Sequence, residues 1–141
     1  MRFNEDDKMK THDVQSISIA KPRAVVFAYI ADPTNLPKWT NAFKSADAES
    51  AELVTPNGAV PIKLETRVSA EQGTVDWIMT FPDGAKGAAY SRVTEDSDDT
   101  SIYSFVLMAP PVPLEMLEGA LEGQKKILAE ELVSLRAKFD G

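Results

Sequence analysis

The stretch Ile17-Ser18-Ile19-Ala20-Lys21-Pro22, continued by Val25-Val26-Phe27-Ala28-Tyr29-Ile30, Asp32-Pro33 and Leu36-Pro37-Lys38-Trp39, decides how this chain is read. From Val14 to Ala20 the residues alternate, with Gln15, Ile17 and Ile19 on one face and Ser16 and Ser18 on the other. Period two with one apolar face predicts a half-buried strand. Pro22 then suits the first position of a helix, where its missing N–H costs nothing. Lys21 is a poor N-cap, so packing rather than capping must hold that helix. Val25, Val26, Tyr29 and Ile30 form its inner stripe, with Phe27 alongside. Asp32 precedes a proline and is biased away from helical geometry, so the helix stops there. Leu36 to Trp39 predicts one further helical turn.

Outward from this segment the chain reads as strands punctuated by turns. Ala42 to Glu49 is a weak strand whose one large apolar residue is Phe43. Pro56-Asn57-Gly58 marks a turn. Val60–Val68 alternates Ile62, Leu64, Thr66 and Val68 against Lys63, Glu65 and Arg67. Glu71-Gln72-Gly73 turns into Thr74–Phe81, where Val75, Trp77, Met79 and Phe81 share a face. Pro82-Asp83-Gly84 is a turn by its residue chemistry. Lys86–Thr94 follows, with Ala88, Tyr90 and Arg92 on one side, and Asp96 to Asp99 turns again. In Ser101–Ala109, Tyr103, Phe105 and Leu107 oppose Ile102, Val106 and Met108, so both faces are apolar and the strand should be central or covered on both sides. Pro110-Pro111-Val112-Pro113 breaks the pattern. Leu114–Phe139 is helical, stepping Leu114, Leu117, Leu121, Gln124, Leu128, Leu132, Leu135 and Phe139 by three or four.

Composition bounds the function classes. The chain has 141 residues, a one-domain length. Residues 1–11 are expected to be a flexible tail and 12–141 a single domain. A net charge of −7, with basic residues scattered, disfavours nucleic acid. No stretch approaches the ~20 apolar residues of a membrane span, so stable membrane insertion is not expected. Cysteine is absent and histidine is limited to His12, which argues against a zinc site. Asp96, Asp98 and Asp99 lack the spacing and distal Glu of a calcium loop. No metal and no cofactor is expected. The lack of cysteine fits a reducing compartment, and a cytoplasmic location is the expectation.

Strand, two short helices, antiparallel strands and one long C-terminal helix: this order resembles the helix-grip superfamily, the START-like or SRPBCC-type proteins. That group includes START lipid-transfer domains, polyketide cyclases and birch-pollen-allergen-like proteins. The marks are Ile17, Ile19, Ala20 and Pro22, the aromatic helix, Asp32-Pro33, and Pro37-x-Trp39, over roughly residues 13–139. Glu131-Leu132-Val133-Ser134-Leu135-Arg136 is similar to the end of the polyketide cyclase/dehydrase branch. The resemblance implies an α+β fold, with a curved antiparallel sheet of six to seven strands wrapped around the C-terminal helix. It also implies a cavity between the two. Fold alone does not assign an activity.

Expected lining follows from residue chemistry within that frame. Trp39, Trp77, Tyr90, Tyr103 and Phe105 supply apolar area with polar tips, as ligand pockets require. Gly119 and Gly123, with Ala120 beside them, each cost about 1 kcal/mol in a helix interior for glycine. The resemblance turns this half of the helix toward the cavity, where small residues leave ligand volume; close packing on a strand or a second subunit is the plainer explanation. Gln124 falls on the apolar stripe and offers a hydrogen bond. Arg92 and Tyr90 share a face and are the candidates to enter the cavity, with Asp76 or Glu65 as paired carboxylate, since a lone buried charge is costly. The plainer reading makes these charges the solvated face of the sheet.

Three function classes follow. The first is noncovalent binding of a small hydrophobic or amphipathic molecule, lipid or polyketide-like. The second is a metal-free cyclase or dehydratase using Tyr90, Arg92 and Asp76. The third is a protein-interaction module, with homodimerisation left open.

Overall fold

A computed structural model describes residues 11–55, 58–108 and 114–140, with side chains of the last helix described from Gly123. The expected tail before Thr11, the Pro56-Asn57 turn and the Pro110–Pro113 break lie outside the described residues.

Strand β1 (His12–Ile19) leads to helix α1 (Arg23–Ala31). Pro22 is the N-cap rather than the first helical residue, with φ −61° and ψ 151°. Its fixed φ suits either position, and its extended ψ aims its carbonyl at the Val25 and Val26 N–H groups. No side chain caps this helix; Val26 and Ile30 are buried and hold it. Asp32 ends it and accepts from the Thr34 N–H at 3.0 Å and the Thr34 hydroxyl at 2.7 Å. That cap starts a 3-10 turn (Pro33–Asn35), followed by α2 (Leu36–Trp39), which buries Leu36 and Trp39.

Six more strands follow: β2 (Phe43–Ala46), β3 (Ser50–Thr55), β4 (Gly58–Ser69), β5 (Thr74–Thr80), β6 (Lys86–Ser97) and β7 (Thr100–Met108). All seven pair antiparallel in one curled sheet of order β1-β7-β6-β5-β4-β3-β2. β3 is a strand that the sequence pattern does not announce. Asp47 makes it a hairpin partner of β2, its Oδ1 accepting the N–H groups of Glu49 and Ser50 at 2.9 and 2.8 Å. β7 is an inner strand, flanked by β1 and β6, while Ile102, Val106 and Met108 on its outer face stay half-exposed. An antiparallel sheet tolerates one wet face.

Helix α3 (Leu114–Asp140) lies mainly against β1 and also meets α2. Leu128, Leu132 and Leu135 are its buried stripe. Phe139 meets the Tyr29 ring edge-on at 5.4 Å. The Gln15 Nε2 donates to the Lys125 carbonyl at 3.0 Å and to Asp13 Oδ2 at 2.8 Å, tying β1 to the helix. Helix and sheet therefore form two layers with a concave, largely apolar face between them.

Candidate functional site

The concave face is built from alternate residues of the strands, and its burial grades in one direction. Along β7, Ser101 and Tyr103 are 0% exposed, Phe105 is 9% exposed, and Leu107 is half-buried. Along β6, Val93, Ser91 and Ala89 are buried and Gly87 is half-buried. β5 passes from buried Val75 and Trp77 to half-buried Met79, and β1 from buried Ile19 to half-buried Ile17, Gln15 and Asp13. The strand register places these ends together. Ile19 pairs Ser101 at the sealed end, while Asp13 pairs Leu107 and Gly87 pairs Met79 at the other. The interior is closed beneath α1 and opens towards the end where β7 finishes. Beside that end, Pro61, Lys63 and Thr80 of the outer row, with Ile62, Phe81 and Pro82, border an open surface depression of about 430 Å³.

Aromatic rings fill the middle. Trp39 meets Tyr103 and Phe105 edge-on at 6.1 and 6.5 Å, and Trp77 stacks on Phe105 at 6.0 Å. Small residues on β6 make room for them: Ala89 lies opposite Trp77, and Ser91 opposite Phe105. Of the two readings of β6, this spacing favours the one with its charges on the solvated face over entry of Tyr90 and Arg92 into the cavity. A tyrosine or arginine pointing inward there would collide with the rings, so Tyr90 and Arg92 point outward.

Tyr90 is 40% exposed, and the exposed Arg92 donates from Nε to the Gln72 carbonyl at 3.0 Å. Asp76 and Arg67 share that outer row with Tyr90. Arg67 pairs with Glu65 at 2.7 Å and, through that hydrogen bond first, holds the Glu65 carboxyl below its usual range. Of the expected lining, Trp39, Trp77, Tyr103 and Phe105 come together. Gly123 does not join them. It is exposed, about 140° round the helix from Leu128, and a Cβ there would meet nothing within 4 Å. Gln124 is half-buried; the surroundings of Gly119 and Ala120 lie outside the described residues.

Polar groups on this wall carry the chemistry. Trp77 Nε1, Tyr103 Oη and Thr66 Oγ1 are buried and have no hydrogen-bond partner among the described residues. Leaving such a group unpaired costs about 1–3 kcal/mol. Ser91 acts against burial by favouring the ionised form of Tyr103, yet no hydrogen bond of acceptable geometry joins them, and the Ser91 hydroxyl donates to the Val75 carbonyl at 2.6 Å. Burial pushes the Tyr103 hydroxyl far above its ordinary range, so it stays protonated and acts as a donor. Glu131, 8% exposed, is a buried acid of the helix layer. Burial raises its pKa, opposed by the backbone N–H groups of Asn41 and Ala42. Thr66, Ser91 and Glu131 are not among the candidates that the sequence pattern singles out. Glu131 was findable, because it lies three residues from Leu128 and four from Leu135 on the apolar stripe. Among the described residues no cluster of His, Asp or Glu is placed to hold a metal ion, and no helix is long and apolar enough to cross a membrane.

No family model and no curated protein matches the chain. Solved structures do match its fold. The protein XoxI from Bacillus cereus superposes with a TM-score of 0.68 at 18% identity, over 92% of this chain and 95% of that one. A START superfamily protein from Mycobacterium smegmatis gives 0.68 at 11% identity, over 92% and 97%. The Zhui aromatase/cyclase from Streptomyces gives 0.64 at 8% identity, over 92% and 93%. The chain shares its α+β helix-grip-like fold with these START superfamily and aromatase/cyclase structures.

Proposed function

We propose that this protein binds a small hydrophobic or amphipathic molecule between the concave sheet and α3, without covalent chemistry. The observation that carries this reading is the common gradient of β1, β5, β6 and β7, from sealed to half-exposed at one shared end. A wall that closed everywhere would be an ordinary core; one that opens at a single end, lined with aromatics and a few polar tips, has the form of a ligand site. Native mass spectrometry of freshly purified protein tests it. A bound small molecule, or a melting-temperature rise with added aromatic or lipid probes, is the expected result. A bare mass with no response to any probe would count against it.

An aromatase/cyclase among the structural neighbours raises a catalytic alternative. Acid–base catalysis needs a group that can take a proton beside the substrate. Tyr103 is held protonated, Ser91 is engaged with Val75, and Glu131 is engaged with Asn41 and Ala42. Tyr90, Arg92 and Asp76 lie on the outer row. These features support binding over turnover.

A further inference from the structure

Resting on that ligand-container reading, we propose that the interior selects an uncharged molecule with at least one hydrogen-bond-accepting oxygen, such as an aryl ketone or ester, and rejects carboxylates and phosphates. The unpartnered groups on the wall all have a hydrogen to give. Trp77 Nε1 can only donate. Tyr103 keeps its proton, and Thr66 has a hydroxyl hydrogen. All three lack partners among the described residues, and Thr66 lies directly opposite Trp77 in the ladder. What is missing from this wall is an acceptor. Each of the three atoms exposes less than 1 Å², so the acceptor reaches them by displacing packed side chains from the open end, past Met79 and Phe105.

Among the described residues, cations are missing from the same interior. No lysine or arginine is buried among the described residues. Half-buried Arg23 sits at the sealed end, donating to the carbonyls of Val93, Ala70 and Glu71. Lys63 and Lys86 stand near the open end but on the outer face, and Lys86 Nζ donates to Thr80 Oγ1 at 3.1 Å. Half-buried Lys125 lies on α3 beside β1, where Asp13 is also held. An anion entering this apolar interior would lose its water and gain no buried counter-charge.

Three naphthalene probes of matched size separate these properties: acetonaphthone, a neutral acceptor; naphthoate, an anion; and methylnaphthalene, with no acceptor. Affinities are measured by titration calorimetry near neutral pH on the full chain. One added hydrogen bond predicts acetonaphthone about 3–10-fold tighter than methylnaphthalene, with naphthoate the weakest. Tyr103→Phe removes an unpaired hydroxyl, so its fold should persist. It should bring the ketone towards the methylnaphthalene level while leaving methylnaphthalene unchanged; Thr66→Val and Trp77→Phe sample the other two donors. Naphthoate binding as tightly as the ketone overturns the proposal. So does a ketone advantage that survives all three substitutions. Failure of all three probes to bind would instead strike the container reading itself.

Discussion

The carboxylate of Glu131 accepts the backbone N–H of Asn41 at 2.5 Å, fastening the middle of α3 to the segment that follows Trp39. Asn41 stands two residues after a ring that packs on Tyr103 and Phe105. This contact therefore links helix position to the aromatic interior. Burial raises the Glu131 pKa and outweighs the two N–H groups that favour its ionised form. A folded-state pKa above the unfolded value means stability fully present below the unfolded pKa, about 4.3 for Glu, and lost as pH rises through the folded pKa. Glu131→Gln mimics the protonated form. Its melting temperature relative to the natural chain should be higher near neutral pH than near pH ~4. Thermal melts across that range check this; a gap that widens on acidification would contradict it.

A second prediction concerns the sealed end. Gly73 has φ +77°, and an added Cβ would run into the Val93 carbonyl oxygen and stand 2.8 Å from Arg23 Nη2. The arginine tip can swing aside, but the Val93 carbonyl belongs to β6 and cannot. Gly73→Ala should cost about 2–4 kcal/mol, combining left-handed backbone strain with the clash. Gly84, at φ +89° with open space for 4 Å around the place a Cβ would take, isolates the strain alone; Gly84→Ala should cost about 1–2 kcal/mol. Urea denaturation compares the two, and equal losses would show that the Val93 contact does not matter.

The outer row gives a third. Arg92→Ala and Tyr90→Phe should leave ligand affinity within about twofold of the natural chain, because neither side chain reaches the concave face, and exposed substitutions of this kind are usually small in effect. Calorimetry with acetonaphthone is the measurement. A tenfold loss from either change would place these residues back among the binding groups.

What the sequence disclosed, and what it hid, follows from the length of each signal. The order of elements is legible because α3 carries a stripe of leucines over many turns and because β4 and β5 alternate, with Ile78 the one large apolar residue on the polar face of β5. β3 is hidden, since Ser50–Thr55 sets Leu53 and Val54 side by side rather than in alternation and its partner β2 is short. Which face of β6 turns inward is open between two readings in the sequence, for a physical reason. Hydrophobic bulk usually marks the buried side, but here bulk belongs to Trp77 and Phe105 on the neighbouring strands, and β6 answers with Ala89 and Ser91. Cross-strand complementarity of size depends on register, and one strand read alone does not reveal its register. Gly123 is turned toward the cavity only by the family resemblance; its angular position, about 140° from Leu128, and its exposure put it on the other side.

That small-against-large pairing supplies the last prediction. Ala89 is 8% exposed, faces Trp77 across one ladder and Leu107 across the other, and marks the passage from sealed wall to open end. Ala89→Leu adds three methylene-sized groups there without adding charge or removing a hydrogen bond. Overpacking of this kind typically costs about 1–3 kcal/mol, which the chain should survive as a folded protein. The added volume would crowd the route past Met79 and Phe105. Methylnaphthalene and acetonaphthone should then lose affinity together, by about tenfold or more if the crowding costs at least 1.4 kcal/mol, because the obstruction ignores polarity. Tyr103→Phe, in contrast, should affect only the ketone. Calorimetry on the two variants side by side distinguishes loss of space from loss of a donor. Unchanged binding of both probes to Ala89→Leu would mean that the ligand lies elsewhere than over β6.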